Sequence, residues 1–179
     1  MKFIICFLLT TCLYPNISFS QTDSSSTMEV GFAGIILFNE ESQFEFYSLD
    51  AHRHISPKTM LGIQLGSISS WQKQNNGSNN QKFVSIGCKW NLLNSKRWYV
   101  DPLAHLIYQS FHNNIAYSKY RGIGINLGIG AGVRYRKWKF GGKIQSHCTY
   151  GLLDKFGGTQ VSYKPFIGFN YGIHLAYTL

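Results

Sequence analysis

From Tyr120 to Tyr135 the chain alternates with a period of two. Ile123, Ile125, Leu127, Ile129, Ala131, Val133 and Tyr135 fall on one side, and Gly122, Gly124, Asn126, Gly128, Gly130, Gly132 and Arg134 on the other. An amphipathic helix would repeat every 3.6 residues, so this segment reads as a long strand with one apolar face. The C-terminal segment repeats the pattern. Ile167, Phe169, Tyr171, Ile173, Leu175, Tyr177 and Leu179 oppose Gly168, Asn170, Gly172, His174, Ala176 and Thr178. These two segments constrain the chain to a sheet in which one face of each strand meets an apolar medium.

Six further segments follow the same rule less regularly. Their apolar faces carry Val30, Phe32, Ile36 and Phe38; Tyr47, Leu49 and Ala51; Leu61, Ile63, Leu65 and Trp71; Val84, Ile86, Cys88, Trp90 and Leu92; Trp98, Val100, Ala104, Leu106 and Tyr108; and Trp138, Phe140, Ile144, Cys148 and Tyr150. The strand from Gln43 to His54 is the least regular. The total is eight strands. Short connections are expected at Ser56-Pro57-Lys58, Asn94-Ser95-Lys96 and Arg136-Lys137. Longer loops are expected at Gln72 to Gln81, Phe111 to Lys119 and Leu152 to Gly158, with a short first link from Asn39 to Ser42. Short and long links on opposite ends are the habit of outer-membrane barrels, whose turns are periplasmic and whose loops are outside.

The N-terminus supports export. Lys2, an apolar run from Phe3 to Tyr14, and small residues at Ser18 and Ser20 form a three-part secretory signal. Cleavage is expected after Ser20, giving a signal peptide over 1–20, a short polar segment over 21–27 and a barrel domain over 28–179. The apolar run falls short of the ~20 residues that a membrane-spanning helix needs.

Composition agrees with alternating membrane strands. Charged residues make up 14% of the chain, against about 25% in ordinary soluble domains. Mean hydropathy is nevertheless −0.11, because half of every strand faces away from lipid. The net charge of +9 is spread over turns at Lys58, Lys96, Arg97, Arg136 and Lys137. Nucleic-acid binding would need a clustered basic face with stacking aromatics, so basic turns meeting water or anionic head groups are the better reading. Cys88 and Cys148 remain after export; placed on non-adjacent strands and facing lipid, they are expected not to pair.

A soluble lipocalin-like lipid carrier would share the eight strands, but its polar face would meet water. Here that face is rich in glycine, a weak strand former that suits the crowded interior of an eight-strand barrel. The apolar face is therefore expected outward. Glu29, Asp50, Lys89, Asp101, Arg134, Lys139 and Lys143 then point inward as a lumen charge network, because a charge in so narrow a space must be paired or hydrated. Centring the fourth hairpin on Ser95 sets Lys89 opposite Asp101. On the outer face, Trp90, Trp98, Tyr135, Trp138 and Tyr177 fall at the periplasmic end and Trp71, Tyr108 and Tyr150 at the outer end, as an aromatic girdle would.

With these features on the page, the sequence resembles the small outer-membrane β-barrel domains of Gram-negative bacteria, the porin-like, OmpA/OmpX-type family. The residues that carry the resemblance are GIGINLGIGAGVRYR (Gly122 to Arg136), HISPKTMLGIQLG (His54 to Gly66) and the final FIGFNYGIHLAYTL. It covers the whole mature chain as a pattern without a catalytic motif. The resemblance implies an eight-stranded antiparallel up-and-down transmembrane β-barrel in the outer membrane. It implies contact with outer-membrane lipid and lipopolysaccharide, and with periplasmic chaperones and the barrel-assembly machinery during biogenesis. It also implies an assembly signal in the last strand, for which Tyr177 and Leu179 are the candidates; the chain departs from the family by ending in leucine rather than an aromatic residue.

Catalytic and metal-binding patterns are weak. Lipid A deacylases resemble a His-x-Ser-Asn run with a downstream glutamate, and the nearest match is His147-Cys148-Thr149-Tyr150, with no glutamate after Glu45. His52, His105, His147 and His174 share the inward face, but they fall on four different strands, and zinc needs three or four ligands at one point. No cofactor is expected. The expectation is a non-enzymatic outer-membrane barrel with a filled lumen and a structural or surface-interaction role in its outer loops. A lipid A-modifying enzyme is the alternative, and a soluble lipid carrier the third reading.

Overall fold

The computed structural model describes residues 27–38, 42–72, 77–113, 118–155 and 162–179. The expected signal peptide, and the polar segment up to residue 26, lie outside the described residues. Eight long strands follow in order: β1 (Met28–Phe38), β2 (Ser42–His54), β3 (Thr59–Gln72), β4 (Gly77–Trp90), β6 (Trp98–Asn113), β7 (Ser118–Tyr135), β8 (Trp138–Lys155) and β9 (Ser162–Thr178). The two-residue β5 (Leu93–Asn94) sits in the link between β4 and β6. Each long strand pairs antiparallel with the next, and β9 returns to β1. The chain is an all-β, eight-stranded, up-and-down antiparallel barrel.

The stagger of the barrel follows from its registers. The row of partners that leaves Gly34 passes through Tyr47, Ser67, Lys82, Ser110, Arg121 and Leu152 and reaches β9 at Tyr163. Gly34 itself pairs with Ile173, ten residues further along β9. Ten residues at ~3.3 Å against eight strands at ~4.8 Å give a tilt of about 40°. A barrel of this size has room inside for side chains only. The glycines serve that closeness: a Cβ on Gly132 would lie 2.1 Å from the Phe140 carbonyl oxygen, and one on its partner Gly141 2.0 Å from that of Ala131.

The faces separate as alternation requires. Leu49, Ile63, Ile86, Leu106, Ile123, Leu127, Ile144, Phe169 and Ile173 are exposed on the outside. Glu29, Asp50, Gln64, Asp101, His105, Asn126, Lys139, Lys143 and Gln145 are buried within. The irregular β2 obeys the expected register, with Tyr47 and Leu49 outward and Asp50 and His52 inward. Cys88 departs from expectation. It shares the parity of Val84 and Ile86, yet only 3% of it is exposed, whereas Cys148 is exposed on β8.

Two further expectations are corrected. The polar stretches read as long loops are mostly strand: β3 and β4 continue to Gln72 and from Gly77, and β6 and β7 to Asn113 and from Ser118. The outer links reduce to 39–41, 73–76, 114–117 and 156–161, all outside the described residues. Polar composition misled because a strand standing above the membrane no longer needs an apolar face. The hairpin after β4 also has a different register, with Lys89 opposite Leu103 rather than Asp101. Near the turn Leu93 pairs with Val100, and the Leu92 N–H donates to the same Val100 carbonyl at 3.0 Å. Leu92 and Leu93 therefore both face Val100, a β-bulge at Leu92-Leu93.

The β1–β9 ladder is the shortest of the long-strand ladders. It runs only from Glu29–Thr178 to Gly34–Ile173, whereas β8 and β9 pair from Trp138–Tyr177 to Leu153–Ser162.

Candidate functional site

The inward residues form layers. Nearest the short turns, three carboxylates and three lysines from five strands alternate in a chain. Asp101 on β6 meets Lys139 on β8 at 2.5 Å, and Lys139 reaches Glu29 on β1 at 2.8 Å. Glu29 accepts from Lys89 on β4, Lys89 lies 3.9 Å from Asp50 on β2, and Asp50 accepts from Lys143 at 3.0 Å. All six side chains are buried. Each charge faces an opposite one, as burial of a charge demands. Lys89 and Asp101, expected as a direct pair, are linked instead through Glu29 and Lys139. Arg134 does not join this chain in the same way. It is half-buried, and its Nε donates to the Arg136 carbonyl at 3.2 Å beside the turn.

Beside the charges lies a histidine relay. The Ser85 hydroxyl is 3.0 Å from His105 Nδ1, the Nε2 atoms of His105 and His52 are 3.3 Å apart, and His52 Nδ1 is 3.2 Å from Asp50. One set of neutral tautomers fits this line, with Ser85 donating to His105, His105 to His52, and His52 pointing at Asp50. His174 instead meets the Tyr99 hydroxyl at 3.1 Å. Among the described residues no group of three or more histidines, cysteines or acids is placed to hold a metal ion.

The next layer is amide. Gln64 and Gln145 exchange hydrogen bonds of 2.9 and 2.8 Å, and Gln64 also donates to Ser48 at 3.0 Å. Gln81 donates to Gln109 at 2.7 Å and lies 3.0 Å from His147, while Gln109 donates to Thr149 at 2.5 Å. Thr149 is also 3.1 Å from the Tyr120 hydroxyl. The His147–Thr149 motif is thus inside the barrel, but its two polar groups are engaged by different partners. No carboxylate is bonded to His147 among the described contacts, and the side chain of Asp154 lies outside the described residues. Sequence reading assigned none of these glutamines a site role, since a polar inward residue carries no motif, and it placed Gln81 at the end of a loop.

Towards the outer end the interior turns apolar. Ala33, Phe46, Phe83 and Ile107 form a buried cluster, with Ile35, Phe44 and Ile68 packed against it. Phe166 adds a ring near Phe111, Tyr120 and His147.

Outside, a band of apolar side chains surrounds the barrel. On β7 it runs from Tyr135 to Ile123, with Arg121 and Lys119 exposed above it. Twelve steps at ~3.3 Å, tilted by about 40°, rise about 30 Å, the thickness of a bilayer's hydrocarbon core. Of the expected girdle, Tyr135, Trp138 and Tyr177 lie together at the turn end, the last two with ring centroids 4.7 Å apart. Trp98 is exposed near them; Trp90 is half-buried. Tyr108 and Tyr150 both pair with Ile123 at the upper edge of the band, and Tyr150 stacks on Tyr163. Trp71 stands higher, on the β3 segment that rises above Leu65.

A closed antiparallel barrel that is apolar outside and polar inside belongs to the outer-membrane type, since only closure satisfies every backbone group in lipid. By architecture the chain is a small outer-membrane β-barrel. No protein-family model and no curated protein matches the sequence. Two of the solved structures that are similar in fold are outer-membrane proteins. One is the outer membrane protein AlkL, determined by solid-state NMR in DMPC lipid bilayers, at 9% identity and a TM-score of 0.49, over 86% of this chain and 90% of that one. The other is the crystal structure of Ail, the attachment invasion locus protein of Yersinia pestis, at 12% identity and a TM-score of 0.42, over 86% and 97%.

Proposed function

We propose that this chain is an integral protein of a Gram-negative outer membrane, closed by its own side chains, whose role is structural or surface-interacting. The chain of ion pairs from Asp101 to Lys143 supports this reading, because it ties β1, β2, β4, β6 and β8 together through the space that a pore would occupy. Passage of a solute would have to break buried charge pairs, at about 3–5 kcal/mol for each one left uncompensated. The surface role belongs to the outer ends of the hairpins rather than to long loops. Above Leu65 and Val84 the outward positions of β3 and β4 are Ser67, Ser69, Trp71, Ser78, Asn80 and Lys82, polar enough to stand in water. Tyr177 and Leu179 are the proposed signal to the barrel-assembly machinery.

The lipid A enzyme is the weaker reading, because His147 and Thr149 are engaged by Gln81, Gln109 and Tyr120 and have no bonded acid among the described residues. A Ser- or Thr-type mechanism needs nucleophile, base and acid in line. Planar-bilayer recording on the refolded mature protein tests the closed lumen. No steady conductance is expected, and a stable ohmic channel would overturn it. Labelling a cysteine placed at Asn80 in intact cells with a membrane-impermeant maleimide tests the orientation, and protection from the reagent would overturn it.

A further inference from the structure

The two turns that flank the β6–β7 pair at the end away from the outer hairpins carry, with the strand ends beside them, five cations, Lys96, Arg97, Arg134, Arg136 and Lys137, and no carboxylate between Asn94 and Arg97 or Arg134 and Lys137. The turns are joined: the Arg134 N–H donates to the Arg97 carbonyl at 2.8 Å. Between them lies an open groove of about 380 Å³ lined by Ser95, Lys96, Arg134 and Arg136.

Backbone strain marks the same place. Arg136 has φ 55°, the only positive φ at a non-glycine among the described residues. It sits in the two-residue turn between the paired Tyr135 and Trp138, where hairpins prefer glycine, asparagine or aspartate. A long cation held in that conformation suggests a functional constraint. The first turn is held firmly, the Trp98 N–H donating to the Ser95 hydroxyl at 2.8 Å. Arg136 and Lys137 lie over the rings of Tyr135 and Tyr177 at 5.3 and 5.9 Å, so the cations sit at the level where the apolar band ends.

The geometry points to a binding site for the phosphate of an anionic membrane phospholipid, held between these two turns on the periplasmic leaflet. A guanidinium matches a phosphate in a planar, two-bond arrangement, and lysine adds a point charge. The lipid's chains would follow the outer faces of Trp98, Val133 and Trp138, which are exposed beside the groove. The inference rests on the membrane placement proposed above.

Mature protein is inserted into vesicles of equal phosphatidylglycerol and phosphatidylcholine, extracted in mild detergent, and weighed with its retained lipid by native mass spectrometry. Wild type should retain phosphatidylglycerol several-fold over phosphatidylcholine. The Arg136→Gly and Lys96→Gln variants should approach parity. Arg136→Gly also relieves the turn, so its melting temperature should not fall, which separates lost binding from lost folding. Equal retention by wild type, or a preference that survives both substitutions, would overturn the site. Inorganic phosphate that displaces the lipid at comparable concentration would overturn the lipid as its source. Failure of the wild type to insert would count against the membrane reading itself.

Discussion

Gln64 on β3 and Gln145 on β8 exchange a reciprocal pair of hydrogen bonds, 2.9 and 2.8 Å long, from strands four steps apart in a ring of eight. The pair therefore spans the diameter. Replacing Gln64 with leucine leaves a buried amide without its partner, at about 1–3 kcal/mol. Gln145→Leu should cost a similar amount. The double variant should cost clearly less than the sum, because both unpaired groups are gone. Urea unfolding in lipid vesicles measures all three, and strict additivity would mean that the pair does not form.

Lys139 holds two carboxylates, Glu29 and Asp101. Lys139→Met should destabilise the barrel by about 3–5 kcal/mol, since both anions stay buried while their shared cation is lost. Lys82→Met, at an exposed position on β4, should fall within about 0.5 kcal/mol of wild type. Comparable unfolding midpoints for the two variants would refute the buried chain.

An arginine at Ile173, exposed on the outside of β9, should cost about 2–4 kcal/mol if the position lies near the bilayer midplane. An arginine at Asn80, above the apolar band, should be almost neutral. Insertion yield, read as heat-modifiable gel mobility, compares them. Equal yields would place the band wrongly.

Cys88 and Cys148 lie on β4 and β8, with β6 and β7 between them. Three strand spacings of ~4.8 Å far exceed the ~7 Å that a disulfide allows between Cα atoms. Thiol titration of the unfolded, unreduced mature protein should count two groups. In the folded barrel an apolar maleimide should reach Cys148 well before the 3%-exposed Cys88. A monomer with no titratable thiol would require a different strand order.

Alternation made the barrel legible because a period of two fixes face as well as element, so one run such as Ile123 to Tyr135 also fixes the inward set opposite it. It could not resolve places where both faces are apolar. Phe83-Val84 and Leu106-Ile107-Tyr108 read as continuous runs, and the structure turns Phe83 and Ile107 inward. Nor could it foresee the bulge at Leu92-Leu93. A bulge adds one residue without a compositional mark, and the displaced register separates Lys89 from Asp101 while leaving both on the inner face. Charge identities were visible in the sequence, and partners were not, because pairing across a lumen depends on stagger and on every hairpin between.

The two ends of the chain meet through six residue pairs, while every other junction between long strands has at least eleven. That joint unites positions about a whole chain apart, so it carries the largest loop-closure cost and is the last to become available as the protein is made. Glu29, at the start of β1, is gripped from inside by Lys89 and Lys139 on strands either side of the junction. The cylinder is thus locked less by its edge than by a strut behind it, and cutting that strut should unzip the first strand before any other.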